Sequence, residues 1–343
     1  MSRILTPDQI DLAQKLILNA NRIVVTTHKS PDGDAIGSAL AMHHFLKSLG
    51  KSPTTLLPDM APDFLHWVKD YEQCIIAETQ PEHAAASIAE ADLIFSLDYN
   101  HLPRTGDSVC ALLEKSKAPF ILIDHHQQPG EFPQVTYSDT SACSTCEMVF
   151  RFIEQCGWKS HMNLDIATCI YLGIMTDSGS FRYHTVSYDT HRIAGELIAQ
   201  GLDHSEIHRN VYDTNLMDKL KLIGYALSEK LVVMQEHSTA YISLEKEELL
   251  RYSYRQGDTE GLVNQALSIR GIKFAAFFRE GNNEIKVSFR SKGSFDVNSF
   301  SRSYWQGGGH INAAGGITDQ SMEATLQKFR ELTLRYSNQI NAS

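Results

Sequence analysis

Over roughly its first 215 residues the chain alternates helix-spaced stretches with short, unbroken apolar runs. Three such runs stand out: RIVVTT at 22–27, DLIFSL at 92–97 and PFILI at 119–123. An apolar run without alternation fits a strand covered on both faces, so the pattern predicts an α/β domain with a mainly parallel sheet flanked by helices. From about residue 216 the pattern changes. A helical, charge-bearing stretch, MDKLKLIGYALSEK, precedes two alternating runs, LVVMQ and TAYISLE, that read as a hairpin. A helix at 259–269, the strand pair KFAAFFRE and EIKVSFRS, a Gly-rich turn at 307–309 and a closing helix at 320–336 follow. These runs divide the chain into a first domain at 1–215, a connecting helical linker at 216–234 and a smaller α/β domain at 235–343, with a cleft between the domains as the expected ligand site.

Composition narrows the class. Apolar residues make up 42% of the 343 and charged ones 21%, an ordinary globular balance. The N-terminal stretch lacks the apolar core of a secretory signal, and no run approaches the roughly 20 apolar residues of a membrane span, so a cytoplasmic protein without a membrane partner is expected. Six cysteines are sparse and fit reduced thiols; Cys143 and Cys146 have CxxC spacing but no second pair to complete a zinc site. A formal charge of −10, from 41 acidic and 31 basic side chains, argues against long nucleic acid as a partner while leaving small phosphorylated ligands open.

The chemistry gathers where apolar runs stop. His28, Asp32 and Asp34 lie in the turn HKSPDGD after the first run, Asp98 follows the second, and Asp124, His125 and His126 close the third. Ligands of open parallel sheets collect at the carboxyl ends of strands, and three such ends here carry metal-type side chains. Taken alone, Asp32 reads equally well as a helix N-cap. Asp177 follows a strongly apolar helical run from Leu164, where a carboxylate opposes the helix dipole unless a cation lies nearby.

This order of motifs resembles the DHH phosphoesterase superfamily, and Gly307-Gly308-Gly309-His310 followed by Ala313-Ala314-Gly315-Gly316 looks like the signature of its associated DHHA1 domain. Length and layout are most similar to the bifunctional oligoribonuclease and 3′-phosphoadenosine 5′-phosphate (pAp) phosphatase group. The resemblance implies two Mn2+ ions, with Mg2+ or another divalent ion as substitute. His28, Asp32 and Asp98 would hold one ion, and Asp34, Asp98, His125 and Asp177 the other, with Asp98 as bridge. Asp98, His125 and His126 would be catalytic, and Asp124 would orient a neighbouring histidine. Substrate contacts would come from His126, Arg104, Arg290, Gly308, Gly309 and His310. The expected substrates are short RNA oligonucleotides or small nucleotides, and a homodimer is compatible. Alternatives are a cyclic or linear dinucleotide phosphodiesterase, an inorganic pyrophosphatase, and a nucleotide-binding sensor without catalysis.

Overall fold

A computed structural model describes residues 4–343, which divide between Thr214 and Asn215 into two units. In the first unit α1 (Pro7–Asn19) leads into β1 (Ile23–Thr26), α2 (Gly33–Ser48), β2 (Thr54–Leu57), β3 (Ile75–Ile76) and α3 (Pro81–Ala89). There follow β4 (Leu93–Leu97), α4 (Asp107–Leu113), β5 (Phe120–Asp124), β6 (Val135–Ser138), α5 (Thr145–Gln155), α6 (Leu164–Asp177), α7 (Tyr188–Ala199) and α8 (His204–Tyr212). The six strands form one parallel sheet in the order β3-β2-β1-β4-β5-β6. The three apolar runs are its central strands β1, β4 and β5, every residue of which is buried. Alternate side chains of β1 enter separate cores: Ile23 and Val25 pack with α2, α5 and α6, Val24 with α3 and α4. Being covered on both faces is why these runs lack polar alternation. From β1 the chain first builds outward through β2 and β3, then returns to add β4, β5 and β6 on the other side. The strand order therefore reverses between β1 and β4, and there the loops diverge and leave a crevice at the carboxyl ends.

The second unit comprises α9 (Met217–Ser228), β7 (Leu231–Met234), β8 (Thr239–Leu244), α10 (Lys246–Arg251), α11 (Leu262–Ser268), β9 (Phe274–Glu280), β10 (Ile285–Ser291), α12 (Val297–Tyr304), β11 (Gly308–His310), β12 (Ala313–Thr318) and α13 (Met322–Ala342). Its sheet runs β11-β12-β10-β9-β8-β7. The expected hairpin is present as the antiparallel pair β7 and β8. Two expectations need correction. The 216–234 stretch is not a separate linker, because β7 is hydrogen-bonded into the second sheet and Leu222 and Ala226 of α9 are buried in that unit's core. The Gly-rich segment is not a turn but the edge strand β11, whose glycines permit close approach: a Cβ at Gly309 would run into the Ala313 carbonyl.

All six cysteines are free and buried. Among the described residues no helix is long and apolar enough to cross a membrane.

Candidate metal centre

Four segments of the first unit converge at the crevice between β1 and β4. From the loop after β1, His28 is fixed by its Nδ1, 2.9 Å from the Lys29 carbonyl, which leaves Nε2 facing Asp98 Oδ2 at 3.4 Å and Asp32 Oδ1 at 4.0 Å. Asp32 does serve as the N-cap of α2, its Oδ1 accepting from the backbone N–H of Asp34 and Ala35, and it stands in the cluster as well. Asp98 follows β4 with a left-handed backbone (φ 65°), a conformation aspartate tolerates better than most residues. Its Oδ1 lies 3.5 Å from His125 Nε2 while its Oδ2 faces His28. His125, after β5, also meets Asp177 Oδ2 at 3.4 Å and Asp34 Oδ2 at 3.9 Å.

Two triads therefore share one carboxylate's surroundings. His28, Asp32 and Asp98 bring ligand-type atoms within 4.8 Å of one another, as do Asp34, His125 and Asp177. A third group, Asp98, Asp124 and His126, adjoins them, in which Asp124 accepts from the His126 backbone N–H at 3.0 Å and lies 2.7 Å from its Nδ1.

A feature with no side-chain signature completes the cluster. Helix α5 is capped by Ser144, which takes the Glu147 N–H and leaves the first two N–H groups of the helix available. Both go to Asp34: Thr145 N–H donates to its Oδ2 at 2.6 Å and Cys146 N–H to its Oδ1 at 2.9 Å. The Thr145 hydroxyl donates to Asp98 Oδ1 at 2.9 Å. The positive end of one helix thus holds two of the carboxylates.

The charge balance calls for cations. Burial, then Asp98 and Asp177, push the Asp34 carboxyl well above its ordinary range, and burial raises Asp177 to about 6. Burial opposes the charged form of His125, but Asp177, Asp98 and Asp34 outweigh it and raise its pKa to about 9. Carboxylates crowded in a water-poor pocket repel one another, and a divalent ion relieves that repulsion. The donors are oxygen and imidazole. The nearby Cys146 thiol is held well above its ordinary pKa by burial and then by Asp34, which keeps it protonated, so the donor set fits magnesium-like or manganese-like ions and not thiophilic ones.

The remaining sequence-named residues come from other segments of the chain. Arg104 is exposed in the turn after Asp98, its carbonyl accepting from Lys29 N–H and its charge acting on His28. Arg290, Gly308, Gly309 and His310 belong to the second unit, where His310, Ala313 and Arg290 form a row across β11, β12 and β10 on one sheet face. Gly308 shares that face, two positions from His310, whereas Gly309 pairs with the buried Ala314 opposite Phe289 on the other face. Thr145 and the α5 N-terminus went unnoticed in the sequence, where SACSTCE shows only a capping serine before an apolar helix.

The model for the DHH family, N-terminal domain, matches residues 22–174, and that for the DHHA1 domain matches residues 239–336. A solved structure, an exopolyphosphatase-related protein from Bacteroides fragilis, superposes with a TM-score of 0.93 at 38% identity over 99% of each chain. The chain belongs to the DHH family. Its DHH domain contains every member of the two triads except Asp177, which lies three residues past the matched span. Among relatives, the chain is 29% identical over 299 residues to the bifunctional oligoribonuclease and PAP phosphatase NrnA of Bacillus subtilis, covering 85% of this chain and 88% of that one. It is 28% identical over 321 residues to the NrnA of Thermus thermophilus, covering 90% and 89%. The DHH family is one of phosphoesterases, and the fold above is that of such an enzyme.

Proposed function

We propose that the protein hydrolyses short oligoribonucleotides to mononucleotides and pAp to AMP, using two divalent cations, manganese by preference. One observation carries the reading: the two oxygens of Asp98 face different triads, which supports a single buried carboxylate serving two ions. The names of the NrnA relatives support the substrate class. His28, Asp32 and Asp98 would hold one cation and Asp34, Asp98, His125 and Asp177 the other. When bound, the cations acidify water to supply a nucleophile near neutral pH and offset charge on the phosphoryl group.

The chain's own residues supply the rest. Asp124 fixes the His126 ring through its Nδ1, and the ring so oriented would donate to a phosphoryl or leaving oxygen. Helix α5 holds Asp34 and Asp98 in place before any ligand arrives, so little reorganisation accompanies binding. Arg104 would approach substrate beside His28, and in the second unit Arg290 and His310 would engage phosphate or base, with the glycines of β11 leaving room for it.

The test is a manganese-supplemented assay offering pAp, di- to pentaribonucleotides, cyclic di-AMP, pyrophosphate and longer single strands side by side. Turnover of pAp and the short RNAs is expected. Release from pyrophosphate alone would overturn the nucleotide assignment, and silence on all five would favour a binding protein without catalysis.

A further inference from the structure

Directly after Asp177 the backbone does something costly. Gly179, Ser180 and Phe181 are three consecutive left-handed residues, with φ of 59°, 58° and 63°. For the two that carry a side chain this costs roughly 1–2 kcal/mol each. Surrounding bonds over-determine the turn: the Ser178 carbonyl accepts from both Arg182 and Tyr183 N–H, and the Ser178 hydroxyl accepts from Phe181 N–H at 2.9 Å. The Phe181 ring is stacked on His191 with centroids 5.6 Å apart. Gly179 has no alternative here, because a Cβ would lie 2.6 Å from the Tyr183 ring. Strain kept in this way next to a site calls for a functional reason.

The turn's product is the placement of Arg182. The chain doubles back so that Arg182 Nε donates to the Gly179 carbonyl at 2.7 Å, two residues from Asp177. The side chain is exposed, and among the described residues no carboxylate lies within ion-pairing distance of it. Elsewhere in the unit Arg151 and Arg192 are engaged by two or more carboxylates each. With Nε anchored, the two terminal nitrogens of Arg182 remain as a planar fork, the geometry that binds phosphate through two parallel bonds. The side chains of Asp32 and Asp177 are 45% and 34% exposed, whereas His28, Asp34, Asp98 and His125 are nearly closed off, so the accessible part of the cluster includes the carboxylate at the end of α6 that leads into the turn.

We propose that Arg182 binds a second phosphate of the substrate, one that is not hydrolysed, and so selects ligands carrying two phosphates: a nucleoside bisphosphate or a short oligonucleotide with a 5′-phosphate. This rests on the phosphoesterase reading above. The experiment compares wild type, Arg182→Gln and Arg182→Lys with manganese on two substrates, pAp and bis-p-nitrophenyl phosphate, a diester with a single phosphorus. Loss of a charged bidentate contact should raise KM for pAp on the order of 10- to 100-fold in Arg182→Gln, with Arg182→Lys in between. Kinetics on the single-phosphorus diester should be unchanged in both variants. Equal loss on both substrates, or no change in KM for pAp, overturns the assignment. Wild-type turnover of the diester reports the phosphoesterase reading separately. Should wild type turn over neither substrate, calorimetric binding of pAp decides between the same two outcomes, affinity lost in Arg182→Gln or retained.

Discussion

Asp98 meets three imidazoles at 3.4, 3.5 and 3.8 Å and the Thr145 hydroxyl at 2.9 Å, from a left-handed backbone that turns its carboxylate into the crevice. Asp98→Asn keeps the size and tolerates the same backbone but removes the charge. Turnover should fall by at least about a thousand-fold, in line with removing a group that acts only through charge, and His125→Ala should do the same. Undiminished manganese-dependent activity in both would remove the two-cation reading. Thr145 makes a subtler case, since its backbone N–H holds Asp34 while its hydroxyl acts on the site through Asp98, and a side-chain substitution removes only the second. Thr145→Val should weaken manganese affinity, measured by calorimetry, several-fold, and Thr145→Ser should restore it; equal affinity in all three proteins would mean the hydroxyl only fills space. The ligand-type residues were legible because acids and imidazoles at the ends of apolar strands are costly and recur three times. Thr145, the first N–H groups of α5 and Arg182 were not, because hydrogen bonding by backbone amides and a turn's handedness leave no mark on residue type.

At the scale of elements, the cluster depends on how closely α2 and α6 approach. Gly37 and Gly173 face the Cys146 sulfur, which sits 3.7 Å from the Asp34 carbonyl and 3.6 Å from that of Cys169. A Cβ at Gly173 would collide with that sulfur and lie 2.6 Å from Asp34 Oδ1. Gly173→Ala should therefore cost about 1–3 kcal/mol by overpacking and also loosen manganese binding by displacing Asp34. The contrast is Gly195 on the exposed face of α7, where nothing lies within 4 Å of the added methyl. Gly195→Ala should stabilise by roughly 0.5–1 kcal/mol through helix propensity and leave metal binding alone. Urea unfolding of both variants, with metal titrations, checks the pair; the idea fails if Gly173→Ala binds manganese as wild type does. The central strands were readable because burial on both faces erases alternation. The two-residue β3 and the strand formed by Gly308–His310 were not, since one is too short to show a pattern and glycine signals a turn as readily as a tight strand edge.

On the scale of the whole molecule, one determinant of resistance to acid lies away from the metal cluster, at the far end of α2. His43 and His44 are consecutive and both buried, and Asp70 Oδ2 stands 4.0 Å from the first, 3.8 Å from the second and 2.9 Å from Lys47 Nζ. Burial, then the neighbouring His44 and Lys47, lower the His43 pKa from its ordinary 6.5 to about 4, and burial lowers His44 as well. The Lys47 hydrogen bond depresses Asp70. For His43 the folded protein keeps the neutral ring while the unfolded chain takes up a proton below 6.5, so stability is complete above that value and drains away as pH falls toward about 4. Asp70 acts in the same direction lower down, its stabilisation being lost as pH falls through its depressed pKa. The two effects join into one acid limb worth on the order of 2–3 kcal/mol at His43. Neutral His43 is held by the Thr55 hydroxyl at its Nδ1, so glutamine can fill the site without titrating. Urea midpoints of the metal-free protein should fall between pH 6.5 and 4 in wild type and fall less in His43→Gln, and parallel profiles for the two would show that the acid limb arises at other groups.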